Sequence, residues 1–479
     1  MIHARPGLVA AAVLIALSGC GTEDLKPAAQ CFPKEALRWM APVSAKAASA
    51  IAKPQIAKAT IYVDRSGSMA GYVDGATNTE RPLQDIVSTL PSVLELQEVK
   101  TEFRTFGSSV SEPLADDGAS LRTRDLFACR AIPGQPCDNT ESHLDQVLSR
   151  ASRESSELAI VVSDLWFSNS EIDSTGIAAL QPALIDILKS GRVIAIYGID
   201  APFAGKIYDL PDRQNGTFSV PFRGRHPLYM LVVGPKSAVV AFGDGLTASG
   251  SNFLANGIAT GKIVRSLFAT DPGPDVYPEA EPLSKSRDPR ITPDYSPVPQ
   301  GVKLQRFALT SGPLGRPAKT APGVPKWTGP NPAYFLKDAV WRGPTAGQTR
   351  SWEQGSNPCA WNSQGTRTDG WSQDGDFQQS FALDPDKLRT TLARKGTYLL
   401  VGESRRRELA QPNPASDWMR GPWNLAPEAA SAVARNAPPI FPTLNLSEFG
   451  RIMESALAIA TRERNQPIVG FAVMVTVKD

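Results

Sequence analysis

The chain has 479 residues, of which 42% are hydrophobic and 41 are prolines, with a formal net charge of +2. That length suits two or three domains of ordinary size. The balanced charge, with no dense basic cluster beyond Arg405-Arg406-Arg407, lacks the electrostatic footprint of a nucleic-acid binder, and the triplet reads as a solvated turn. No stretch beyond the N-terminus approaches the ~20 consecutive apolar residues of a membrane helix.

Arg5 leads into an apolar run from Leu8 to Leu17, and the sequence continues Leu17-Ser18-Gly19-Cys20. This is signal-peptide architecture, and its end resembles the lipobox of bacterial lipoproteins. The resemblance implies a signal peptide over 1–19 and a diacylglycerol on Cys20, so that the rest is held at a membrane by lipid. Gly21 follows in place of Asp, which in a Gram-negative envelope implies the periplasmic face of the outer membrane. Residues 20–58, rich in Ala, Lys and Pro, read as a tether with a helical stretch around Lys34 to Met40.

From Thr60 the texture changes. Ile61 to Val63, Phe103 to Phe106, Leu158 to Val162 and Val193 to Tyr197 read as buried strands. Between them, Pro82 to Leu90 and Leu144 to Arg153 have helical spacing, with Pro91 expected to end or kink the first. The alternation predicts an α/β domain over 59–220, with a doubly wound, mainly parallel sheet that binds ligands at the carboxyl ends of its strands.

The remainder, 221–479, reads as a smaller α+β region. It opens with a strand over Leu228 to Val233 and a helix from about Ser237. Eight prolines between Asp271 and Gln300 make 271–302 a linker or surface excursion. Tyr398 to Val401 reads as a strand, and Ile468 to Val477 as the closing one. The helix expected over Ser447 to Arg462 puts Phe449, Ile452, Met453, Ala456 and Leu457 on one core-facing stripe.

Setting Cys20 aside leaves Cys31, Cys129, Cys137 and Cys359, an even set for an oxidising compartment. The short loop around Pro133-Gly134 favours Cys129 with Cys137, leaving Cys31 with Cys359. Three pairings are possible in principle.

Directly after the first strand stands Asp64-Arg65-Ser66-Gly67-Ser68. It resembles the D-x-S-x-S motif of the metal-ion-dependent adhesion site (MIDAS) in von Willebrand factor A-type (VWA) domains, whose sheet is Rossmann-like. In that family a second loop supplies a hydroxyl and a third an Asp. Asp164, at the end of the strand Leu158 to Val162, fits the third position, although Leu165 follows where the family usually has Gly, so the turn is expected to be made differently. For the second loop, counting back from Val147 and Leu148 selects Ser142, with Thr140 as the alternative.

Hydroxyl and carboxylate oxygens are hard donors. The resemblance therefore implies Mg²⁺, with Ca²⁺ or Mn²⁺ possible, in a surface cleft. With neutral oxygens from Ser66, Ser68 and Ser142 dominant, the cation keeps much of its charge and takes an Asp or Glu from a protein partner. A binder is expected and no enzyme, since neither His143 nor His226 lies in a G-x-S-x-G or H-E-x-x-H pattern. His143 reads as a bystander and His226 as a cap or surface residue. Trp341, Trp352, Trp361 and Trp371 offer an alternative, a glycan-binding face, against the reading that they fill a loop-rich core.

Overall fold

A computed structural model describes residues 31–40, 56–127, 139, 141–154, 156–167, 179–212, 216–248, 252–271, 288–297, 304–310, 326–328, 336–340, 347–374, 378–392, 394–404, 413–464 and 469–479. The signal peptide, Cys20, Cys129, Cys137, Thr140, Trp341, the basic triplet and most of 271–302 lie outside them.

Two six-stranded sheets organise the molecule. The first is built from β1 (Lys58–Asp64), β2 (Lys100–Phe106), β3 (Leu158–Ser163), β4 (Val193–Pro211), β5 (Thr217–Gly234) and β6 (Ile263–Phe268), in the order β2-β1-β3-β5-β4-β6. β1 pairs in parallel with β2 and β3, whereas the β3–β5, β5–β4 and β4–β6 pairings are antiparallel. Four of the six strands thus run the same way, with β5 inserted against them and β6 reversed at the edge. The architecture is mixed α/β, and the parallel character expected of the whole sheet is confined to its β2-β1-β3 side.

Helices cover both faces. On one lie α2 (Pro82–Glu95) and α5 (Lys236–Ala248), whose Leu83, Ile86, Leu90, Val239 and Phe242 pack with Ile61, Val63 and Val162. On the other lie α3 (Leu144–Arg153) and α4 (Leu180–Lys189), joined by α7 (Leu446–Arg464) from the end of the chain. There Val147, Leu184 and the stripe Phe449, Ile452, Met453, Ala456 and Leu457 pack with Tyr62 and Val161. Because β1 and β3 are buried on both sides, they read as unbroken apolar runs. α2 continues past Pro91 to Glu95, since Val93 and Leu94 extend its buried stripe over the same face.

The boundary expected at 220/221 therefore falls inside β5, a central strand. α5, α6 (Asn252–Thr260), β6 and α7 also belong around the first sheet. The physical reason is the hairpin β4–β5. Beyond the sheet its strands pair with each other from Ala201↔His226 to Pro211↔Thr217, with one further bridge from Arg225 to Ile440, and a two-stranded ribbon tolerates the Gly, Pro and polar residues that disguise strands in a sequence.

The second sheet contains β7 (Ile291–Pro293), β8 (Gln305–Leu309), β9 (Gln348–Gln354), β10 (Trp361–Arg367), β11 (Gly396–Ser404) and β12 (Val469–Val477), in the order β10-β9-β11-β12-β8-β7. The described part of the Pro-rich stretch supplies β7 at its edge, where a proline costs no ladder bond. Helix α1 (Lys34–Met40) rests on β11 and β12. Its Trp39 Nε1 donates to Glu403 at 3.0 Å, and Cys31 is disulfide-bonded to Cys359. Residues expected to form part of a free tether are thus docked.

The described tryptophans of the second half are packed. Trp352 is buried with Leu399 and Val401. Trp361 stacks on Phe32 and donates to the Cys31 carbonyl. Trp371 packs against Phe381 and Phe471, with its Nε1 on Thr349.

Candidate metal centre

The carboxyl ends of β1 and β3 lie side by side, with Val63 opposite Val162. One residue further along, Asp64 leaves β1, fully buried. Its Oδ1 accepts from the Ser66 backbone N–H at 2.7 Å, which turns the chain sharply into a 3-10 turn (Gly67–Met69) and a short helix (Ala70–Asp74). That turn brings the Ser66 and Ser68 hydroxyl oxygens to 3.1 Å from each other, both half-buried above the carboxylate.

The second loop arrives from 78 residues away. Ser142 Oγ lies 2.9 Å from both Asp64 oxygens. Two backbone bonds hold the loop: Gly67 N–H donates to the Asn139 carbonyl at 3.1 Å, and His143 N–H to that of Gly107 at 2.9 Å. The His143 ring sits between Glu141 and Asp145 at 3.1 and 3.3 Å.

From the third segment, Ser163 Oγ donates to Asp64 Oδ2 at 2.7 Å and accepts from Leu165 N–H at 3.0 Å. Asp164 is buried, its Oδ1 accepting from Trp166 N–H at 3.2 Å. Leu165 adopts φ +48°, the left-handed conformation for which glycine is the usual choice. The turn is therefore made by the conformation expected of Gly, with Leu in its place. Burial of the Leu165 side chain, 2% exposed, contributes about 1.5–3 kcal/mol and offsets a backbone cost of roughly 1–2 kcal/mol.

Asp64, Ser66, Ser68 and Ser142 are thus joined by hydrogen bonds, and Asp164, buried at the end of the neighbouring strand, is near enough for its charge to act on Asp64. Burial, and then the charge of Asp164, push the Asp64 carboxyl up to about 7 against the hydrogen bonds that favour its charged form. Burial also raises Tyr72 and Tyr229, with the Asp164 charge adding to it. Two buried like charges raise each other's cost of ionisation, a cost that a cation between them would remove.

Among the described residues no three His, Cys, Asp or Glu side chains converge on a point. A cation here would be held by carboxylate and hydroxyl oxygens, a donor set that fits Mg²⁺, Mn²⁺ or Ca²⁺ and not a thiophilic metal. Asp64, whose two oxygens accept from Ser66, Ser142 and Ser163, is placed to orient the hydroxyls.

One contributor, Ser163, was not singled out in the sequence, and the expectation for His226 is corrected. Ser163 carried no signal beyond ending an apolar strand. His226, expected at a cap or on the surface, is fully buried among Tyr72, Trp166, Phe203 and Phe441, with Nδ1 2.7 Å from the Phe441 carbonyl. Its place at the start of the apolar run Leu228 to Val233 was the available clue.

The chain matches no family model, no curated protein and no solved structure.

Proposed function

We propose that the chain is an exported, lipid-anchored envelope protein with a VWA-type head, and that it binds a protein partner through a divalent cation at Asp64, Ser66, Ser68, Ser142 and Asp164. One observation carries the reading: the Ser142 hydroxyl, from a separate loop, bonds both oxygens of the Asp64 that opens the D-x-S-x-S segment. Three segments distant in sequence thus meet at the carboxyl edge of parallel strands, where α/β sheets bind ligands. The hydroxyl-rich donor set leaves a bound cation with charge to spare, which an Asp or Glu of the partner neutralises. Mg²⁺ suits such a site best, with Mn²⁺ or Ca²⁺ as substitutes. The packing of Trp352, Trp361 and Trp371 speaks against the glycan-binding alternative.

Asp64→Asn tests this reading better than Asp64→Ala, because the amide keeps a side chain among donors that truncation would strand at a cost of about 1–3 kcal/mol. Mg²⁺ or Mn²⁺ at 100 times its dissociation constant should stabilise the wild type by about 2.7 kcal/mol, and the variant hardly at all. An equal gain in thermal melts of the two proteins would overturn the metal site. For the anchor, Cys20→Ser should move the protein from the membrane fraction to the soluble one, and unchanged retention would reject lipidation.

A further inference from the structure

Beyond β3 the hairpin β4–β5 continues as a two-stranded arm rising past the carboxyl edge of the parallel strands, beside the D-x-S-x-S segment. The arm is fixed in place. At its base Arg225 pairs with Asp200 at 2.6 Å and with Glu80 at 2.7 Å, and Glu80 holds Lys262 at 3.1 Å. Higher up, the Phe203 ring fills the space where a Gly71 side chain would stand, and Gly205 lies against the Gly71 backbone.

Between arm and motif runs an open groove of about 610 Å³. Gly67, the residue between the two motif serines, is among its lining residues, so the groove adjoins the candidate metal centre. Its floor is small (Gly67, Ala70, Gly71, Gly205), and its charged walls are Arg124, Lys206 and Arg223 against Asp74. Asp74 is already matched by Arg124 at 3.1 Å. Lys206 lies over the Tyr208 ring at 5.0 Å, and among the described residues neither Lys206 nor Arg223 makes a salt bridge.

We infer that this groove takes an acidic polypeptide segment of the partner, the stretch flanking the Asp or Glu that reaches the cation. The inference rests on the metal-site reading above. Charge complementarity carries it: two uncompensated cations on a rigid wall next to a small-residue floor let an extended backbone lie close while its acidic side chains meet Lys206 and Arg223. Such a rim accelerates and orients encounter, with a strong salt dependence.

The test is a displayed peptide library with a fixed central Asp and random flanks, selected on the full chain in Mn²⁺ and on the double variant Lys206→Glu, Arg223→Glu. Both positions are exposed and lie outside the metal set. Wild type should enrich peptides with Asp or Glu on one flank, bound about tenfold more tightly than Ser-flanked versions, and released more readily at high salt. The double variant should lose the flank preference but keep Mn²⁺-dependent binding of the Ser-flanked peptide. Enrichment without acidic flanks, or a preference that survives in the double variant, overturns the groove and leaves the metal site standing. Binding unaffected by EDTA instead overturns the metal reading, and competition by heparin stronger than by polyglutamate overturns the assignment to a polypeptide.

Discussion

His226 stands where a titratable side chain is least at ease, enclosed by aromatic rings with one backbone carbonyl as partner. Burial lowers it from 6.5 to about 4. Above about pH 6.5 the ring is neutral in both folded and unfolded chains and adds no pH dependence. As pH falls from 6.5 to 4 the unfolded chain takes up a proton that the folded one refuses, so stability falls by on the order of 3 kcal/mol. Asp64, raised to about 7, works in the opposite sense over much of this range, and only a variant separates the two. In urea unfolding at pH 7 and pH 4.5, His226→Gln should lose about 2 kcal/mol less than wild type; equal losses would place the ring in contact with water. At this scale the sequence was informative where chemistry and position coincide. Asp64, Ser142 and Asp164 end strands or open a helix and carry the oxygens a hard cation needs. Ser163 and His226 act through contacts with residues 99 and 215 positions away, and no local pattern encodes such partners.

Elements were legible wherever their apolar period is strong. β1, β3, α3 and the stripe of α7 follow from alternation or helical spacing alone, while the β4–β5 arm did not, because its distal half is a ribbon outside the sheet and its residues obey no burial period. Helix α1 shows the other kind of failure. Its seven residues are too few to be stable alone, and what holds them is tertiary: Met40 and Ala36 in an apolar cluster with Leu399 and Val401, Trp39 on Glu403, and the Cys31–Cys359 link. Removing the link by Cys31→Ser should destabilise the chain by about 2–4 kcal/mol. It should also expose the segment 31–40, seen as early cleavage there by a protease that leaves the wild type intact. Undiminished protection would mean that the apolar contacts alone dock the helix.

At the scale of the whole molecule, the chain returns to its first sheet after building most of its second: α7 covers β1 and β3, and the next element, β12, completes the second sheet. Neither sheet is therefore complete in a contiguous piece of chain. A fragment of residues 59–220 contains the whole candidate metal set, yet it lacks nearly all of β5, which separates β3 from β4, and it lacks the helices that bury Ile61 through α5 and Tyr62 through α7. It leaves β3 with an open hydrophobic edge, a site for aggregation, and uncovers faces whose burial supplies the main driving force for folding. The fragment should not give the dispersed amide spectrum of a folded domain, nor bind Mg²⁺ as the intact chain does, whereas the intact chain should unfold cooperatively with both sheets lost together. A folded 59–220 fragment with intact metal affinity would show that β5 and α7 are additions to a self-sufficient domain, and the partition at residue 220 would then be correct.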